Sequence, residues 1–239
     1  MFKKSKKSKQ RRREREAAKG PIDLLTDKGR KRAWNELMWG DHHFLRLKFQ
    51  NLHQVSEEFW RSNQPSPQQI AEHAAKRGIK TIINARGESP KGYYLLEKEA
   101  CEANGITLVD FQAFSRDTPT KEMIHAAKDL FDRIEYPALV HCKSGADRAG
   151  LIAVLYKILR EGVPVEEARE QLSLKYLHVR HGKTGVLDAV FEVYCAFNDQ
   201  QPISFIDWVD QHYDRLAIKE EFLKSGAAKF RIDELLGRE

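Results

Sequence analysis

No run of apolar residues in this 239-residue chain approaches the length of a membrane span, and its opening segment lacks the apolar core of a secretory signal. A soluble, cytoplasmic protein is the expectation. The three cysteines, Cys101, Cys142 and Cys195, make no paired framework, which excludes a disulfide-stapled scaffold and fits a reducing compartment. Cys101 and Cys195 lie in helical patterns and read as core. The histidines, among them His42, His43 and His181, show no ligand spacing, so no metal or other cofactor is implied. Gly182-Lys183-Thr184 lacks the glycine that a nucleotide-binding loop needs five residues earlier, where Leu177 stands. No internal repeat is present, and the length suits one full-sized domain with extensions.

Charge is unevenly spread. Residues 1–20 hold ten Lys or Arg against Glu14 and Glu16, a net of +8, so the whole-chain +6 leaves −2 for residues 21–239. The high pI belongs to the tail, which argues against a nucleic-acid-binding domain. Such a segment is expected to stay unfolded and solubilising, to be drawn to an anionic membrane surface, or to bind nucleic acid without sequence preference. A peripheral location at the inner face of a membrane is the matching expectation.

From Ser66 the chain alternates helices and strands. Ser66-Pro67-Gln68-Gln69 makes a helix start with a capping box and proline at the first helical position. That helix stops at Gly78. A strand over 79–84, a helix over 92–103, a strand over 106–111 and a helix from Thr118 and Pro119 follow. The run Pro137–His141 then leads into a loop and a helix from Ala149. Before this, a helix is expected over 22–38 and short edge strands within 44–60. After it, helices are expected at 164–176, 185–197 and 203–223. This pattern predicts an α/β fold with a mostly parallel central sheet of four to five strands, helices on both faces, and a helical C-terminal third. Ligands of such sheets bind beyond the carboxyl ends of the strands, where the loops 85–91, 112–119 and 141–148 all emerge.

The last of these loops is His141-Cys142-Lys143-Ser144-Gly145-Ala146-Asp147-Arg148. A strand entering a glycine-containing turn that opens a helix aims several backbone N–H groups at one spot, where the helix dipole adds partial positive charge. Such a spot suits a phosphate. It also favours a cysteine in its thiolate form, the useful nucleophile. Arg148 stands where its planar fork can grip two phosphoryl oxygens. The plain alternative is an inert core cysteine at a strand end.

His-Cys-x-x-Gly-x-x-Arg between a strand and a helix resembles the signature of the cysteine-dependent protein tyrosine and dual-specificity phosphatase superfamily. Arg61-Ser62-Asn63-Gln64-Pro65 also resembles the start of the catalytic domain in its compact bacterial and fungal-type members. The resemblance implies Cys142 as nucleophile, Arg148 as phosphate clamp, and Lys143, Ser144, Gly145, Ala146 and Asp147 as the phosphate-binding loop. It places His141 behind the sulfur as a tuner of the loop. Four parts are expected: a tail over 1–21, an N-terminal extension over 22–43, a catalytic domain over 44–200 and a C-terminal helical extension over 201–239.

Two departures from the family pattern stand out. The usual acid position, counted back from Pro119, holds Ser115, so the acid is expected from Asp117 first, then Asp147, then Asp110. Ala149 stands where many relatives carry Ser or Thr, whose hydroxyl helps the sulfur leave. The implied activity is phosphomonoester hydrolysis through a phosphocysteine, on phosphoprotein or on polyanionic esters such as inositol phosphates or lipid headgroups. Lys143, with Arg86, Lys91 and Arg116 expected on the rim, favours the polyanions. The competing expectation is a pseudophosphatase that binds phosphorylated partners.

Overall fold

A computed structural model of the chain describes residues 20–225. The basic segment 1–19 and residues 226–239 lie outside them, and with them most of the expected tail and the end of the expected C-terminal extension. The sheet has five strands, β1 (His53–Gln54), β2 (Phe59–Asn63), β3 (Thr81–Asn84), β4 (Thr107–Asp110) and β5 (Ala138–Cys142), in the spatial order β1-β2-β5-β3-β4. Only β1 runs antiparallel to its neighbour. The expected α/β architecture is therefore present.

Alternation along the strands assigns the two faces. Val140 and Ile83 point to the larger core, built with α4 (Lys121–Arg133), α5 (Asp147–Leu159) and α7 (Val186–Asn198). Leu139 and Ile82 point to the smaller one, closed by Ile70 of α2 (Pro67–Arg77) and by Ala100 and Cys101 of α3 (Gly92–Ala103). Phe59 stacks on Tyr156 with ring centroids 3.9 Å apart, joining β2 to α5. Register places Asn84 of β3 opposite both Asp110 and His141, and Asn63 of β2 opposite Cys142. One row across the carboxyl end of the sheet thus carries the site.

Local chemistry sets the helix limits. The Ser66–Gln69 capping box is formed, and α2 ends on Gly78 at φ 63°. Expected boundaries shift where a better cap competes. The N-terminal helix is α1 (Asp27–Asn35), because Asp23 ties Leu25 into a turn and Thr26 caps the helix through Gly29. Leu25 is left 95% exposed, and Glu36–Gly40 continues α1 as a π-turn. α4 begins at Lys121 rather than Thr118, capped by the Thr120 hydroxyl. The stretch 164–176 is only α6 (Val165–Ala168) followed by 3-10 turns. The last expected helix is two, α8 (Phe205–Gln211) and α9 (Arg215–Lys224), separated because Asp214 caps a new start. Segment 44–50 holds no strand, only a 3-10 turn at His43–Leu45.

Candidate active site

β5, the central strand, brings Cys142 to the carboxyl end of the sheet, and the chain turns at Gly145 before α5 begins at Asp147. Gly145 sits at φ 75°, and a Cβ there would lie 2.7 Å from the backbone nitrogen of Asn63, so both conformation and space demand glycine. The four carbonyls of the loop interior are each held by a donor from outside it. Lys143 O accepts from Gln64 N at 3.4 Å and Ser144 O from Asn51 Nδ2 at 3.0 Å. Gly145 O and Ala146 O both accept from Arg61 Nη2, at 2.8 Å each. With the carbonyls drawn outward, the amides face the other way. None of the N–H groups of residues 144–148 has an acceptor among the described residues, which leaves a ring of donors at a helix N-terminus. Cys142 is buried beside them, and the half-buried Arg148 guanidinium has neither ion-pair nor hydrogen-bond partner among the described residues.

Arg61 is the brace beneath this ring. It is fully buried, its Nη1 donates to the Gln171 carbonyl at 2.5 Å, and its guanidinium lies 4.1 Å from the centre of the Tyr176 ring. Burial lowers its pKa to about 10, which leaves it cationic at neutral pH. A second brace runs from the other side of the loop. Asp147 Oδ1 meets His178 Nδ1 at 2.8 Å, and His178 Nε2 meets Asp188 Oδ2 of α7 at 2.7 Å. Burial acts to lower the His178 pKa, but its hydrogen bonds to the two carboxylates outweigh that and raise it to about 9. A buried imidazolium therefore ties the loop to the C-terminal helices.

A family model described as a DSP-PTPase phosphatase fused to NAD+ kinase matches residues 46–185, more than half of the chain. The chain belongs to this phosphatase family. It is a cysteine-dependent phosphatase of dual-specificity and tyrosine-phosphatase type. No curated protein matches it. Among solved structures it is similar to P. aeruginosa TpbA, at 18% identity over 71% of this chain and 91% of that one, with a TM-score of 0.49. It is also similar to Tk-PTP in its active form, at 17% identity over 61% and 98% with a TM-score of 0.48. PTPMT1 is matched at 15% identity over 63% and 99% with a TM-score of 0.47.

The three candidate acids of this phosphatase are each engaged differently. Asp117 faces the C-terminal extension, with Arg215 Nη2 and Lys219 Nζ both 3.0 Å from its Oδ1. Partial burial acts to raise its pKa, but Lys219 and Arg215 outweigh that and hold the carboxyl below its ordinary value. Asp147 belongs to the His178 brace. Asp110 accepts from Tyr94 Oη at 2.6 Å and from Asn84 Nδ2 at 2.8 Å at the end of β4.

Arg86 is not a rim cation. It pairs with both oxygens of the buried Asp41, at 2.9 and 2.8 Å, and stacks 3.8 Å from the Tyr93 ring centre. Asp41 also accepts from Arg46 at 2.6 Å and stands 4.0 Å from Lys143 Nζ. The Arg61–Pro65 stretch is likewise more than a segment boundary, since Arg61, Ser62 and Asn63 complete β2 alongside β5. His141 Nε2 lies 2.5 Å from Glu97 Oε1, and Glu97 is held in turn by Gln64 Nε2 at 2.8 Å. Sequence reading missed the loop-holding roles of Arg61, Asn51, Gln64, Glu97, His178 and Asp188. A charged residue such as Arg61 following Phe59 and Trp60 in a strand was the available signal, because a buried guanidinium needs several acceptors.

Proposed function

We propose that this phosphatase cleaves phosphomonoesters through a phosphocysteine. The Cys142 thiolate attacks phosphorus, an S–P bond forms as the ester O–P bond breaks, and the leaving oxygen takes a proton from Asp117. Water then attacks phosphorus and gives its proton to Asp117, while the S–P bond breaks and phosphate leaves. The loop amides and Arg148 hold the three non-bridging oxygens throughout. The observation that carries this reading is the ring of acceptor-less amides beside Cys142, formed because every loop carbonyl is fastened outward. For Asp117, the pairs with Arg215 and Lys219 are the resting arrangement, which opens before it reaches the leaving group.

The substrate we infer is a phosphoprotein or a polyanionic ester such as an inositol phosphate or lipid headgroup, with Lys143 at the loop as the added cation. Ala149 supplies no hydroxyl to the departing sulfur, so hydrolysis of the phosphoenzyme is expected to limit turnover and to give a pre-steady-state burst. The test is hydrolysis of an aryl phosphate in the presence of a chelator by wild type and Cys142→Ser. Wild-type turnover that falls by ~10³-fold or more with serine is expected. Wild type that binds a phosphopeptide without turning over any ester would establish the pseudophosphatase instead.

A further inference from the structure

Between residues 39 and 49 the usual distribution of side chains is inverted. Asp41, His43 and Arg46 are buried at 4%, 0% and 7% exposure, whereas Trp39, Leu45, Leu47 and Phe49 are 65%, 65%, 54% and 52% exposed. Phe44 is partly exposed as well and packs against Trp39 with ring centroids 5.3 Å apart. The buried Arg46–Asp41–Arg86 ion pairs anchor the segment, so its apolar ridge is held outward rather than left loose. A concentrated exposed apolar surface of this kind marks a contact site.

The ridge adjoins the catalytic loop. Phe49 O accepts from Asn63 Nδ2 at 2.8 Å and Gln50 O from Asn63 N at 2.9 Å, while Asn63 stands opposite Cys142 in the sheet. The next residue, Asn51, holds the Ser144 carbonyl.

We propose that this ridge docks the protein on an anionic lipid bilayer, setting the catalytic loop at the membrane surface; the catalytic consequence rests on the phosphatase reading above. Charge selects this occupant. Lys48 is exposed within the ridge, Lys28 and Lys31 are exposed on α1 just before it, and residues 1–20, with a net charge of +8, precede α1 in the sequence. Aromatic and aliphatic side chains flanked by lysines match the boundary between headgroups and acyl chains, and each basic residue near an anionic surface adds attraction. A second copy of the chain is disfavoured, because pairing ridge to ridge would set the exposed Lys48 of one copy, with Lys28 and Lys31, against the same lysines of the other. No described helix is long and apolar enough to cross a membrane.

The full chain is to be sedimented with phosphatidylcholine vesicles and with vesicles of equal phosphatidylcholine and phosphatidylglycerol. Wild type and Cys142→Ser are expected to bind the anionic vesicles alike, with a blue shift of tryptophan emission. Trp39→Ser/Leu45→Ser/Leu47→Ser is expected to lose at least ~10-fold in binding while hydrolysing a soluble aryl phosphate as wild type does, which also shows that it folds. Wild type that ignores anionic vesicles, triple-variant binding equal to wild type, or a wild-type dimer that the triple variant abolishes would each overturn the proposal. Loss of aryl phosphate hydrolysis by wild type would instead overturn the catalytic reading and leave the docking result standing.

Discussion

The loop over 142–148 and the loop over 112–119 leave the same carboxyl end of the sheet but are held by different means. The first is fastened by buried groups: Arg61 beneath, Asn51 and Gln64 at its sides, and the His178 imidazolium behind Asp147. In the second, Asp117 is held by two cations that are each about one-third exposed, 33% for Arg215 and 36% for Lys219. Buried charge pairs are costly to separate, because removing one partner strands the other in a poor solvent. Partly exposed pairs exchange readily with water and are worth about 1 kcal/mol or less. The first loop is therefore fixed by buried groups throughout, whereas the Asp117 side chain of the second sits in partly exposed ion pairs that are cheaper to open.

The largest expected effect comes from removing the brace that makes the first loop rigid. Arg61→Met leaves the Gly145 and Gln171 carbonyls without their buried donor, at a cost of about 3–5 kcal/mol. Aryl phosphate hydrolysis is expected to fall with stability, as measured by chemical denaturation and steady-state kinetics. A variant that melts and turns over like wild type would erase the contrast between the loops.

Next comes His178. Its folded pKa is raised to about 9 from an ordinary 6.5, so its stabilisation is complete below about pH 6.5 and is lost as pH rises through 9. The shift corresponds to an order of 3 kcal/mol. Wild-type melting temperature should decline from pH 7 to 9.5, while His178→Asn should start lower and stay flatter over that window. A wild-type curve no steeper than that of the variant would show that the brace carries no such charge.

These differences also explain what the sequence disclosed. The helix and strand order was legible because Ile82, Ile83, Leu139 and Val140 form short apolar runs and Ser66-Pro67-Gln68-Gln69 writes its own cap. Cys142, Gly145 and Arg148 were legible because one contiguous turn must supply all three. The braces were not, because Arg61, Asn51, His178 and Asp188 reach the loop from distant positions, and a single polar residue gives no sign of its partner. The outward ridge was hidden for the opposite reason. Its apolar residues suggest edge strands until the buried Asp41 and Arg46 show which side faces in.

The smallest effects should fall on the second loop, and there they sharpen the comparison. Asp117→Asn is expected to reduce hydrolysis of an alkyl phosphate by ~10²-fold and of an activated aryl ester by far less, with stability changed by about 1 kcal/mol or less. Equal losses on both esters would move the acid role to Asp147 or Asp110. The two cations hold the Asp117 carboxyl below its ordinary pKa, and an acid must be protonated to act. In Arg215→Ala/Lys219→Ala the carboxyl should therefore keep its proton to higher pH, shifting the basic limb of kcat/KM for the alkyl ester upward. Above that limb the double variant should outperform wild type, although each substitution only removes a contact. An unshifted limb would mean that the pairs fix the loop rather than hold its acid in reserve.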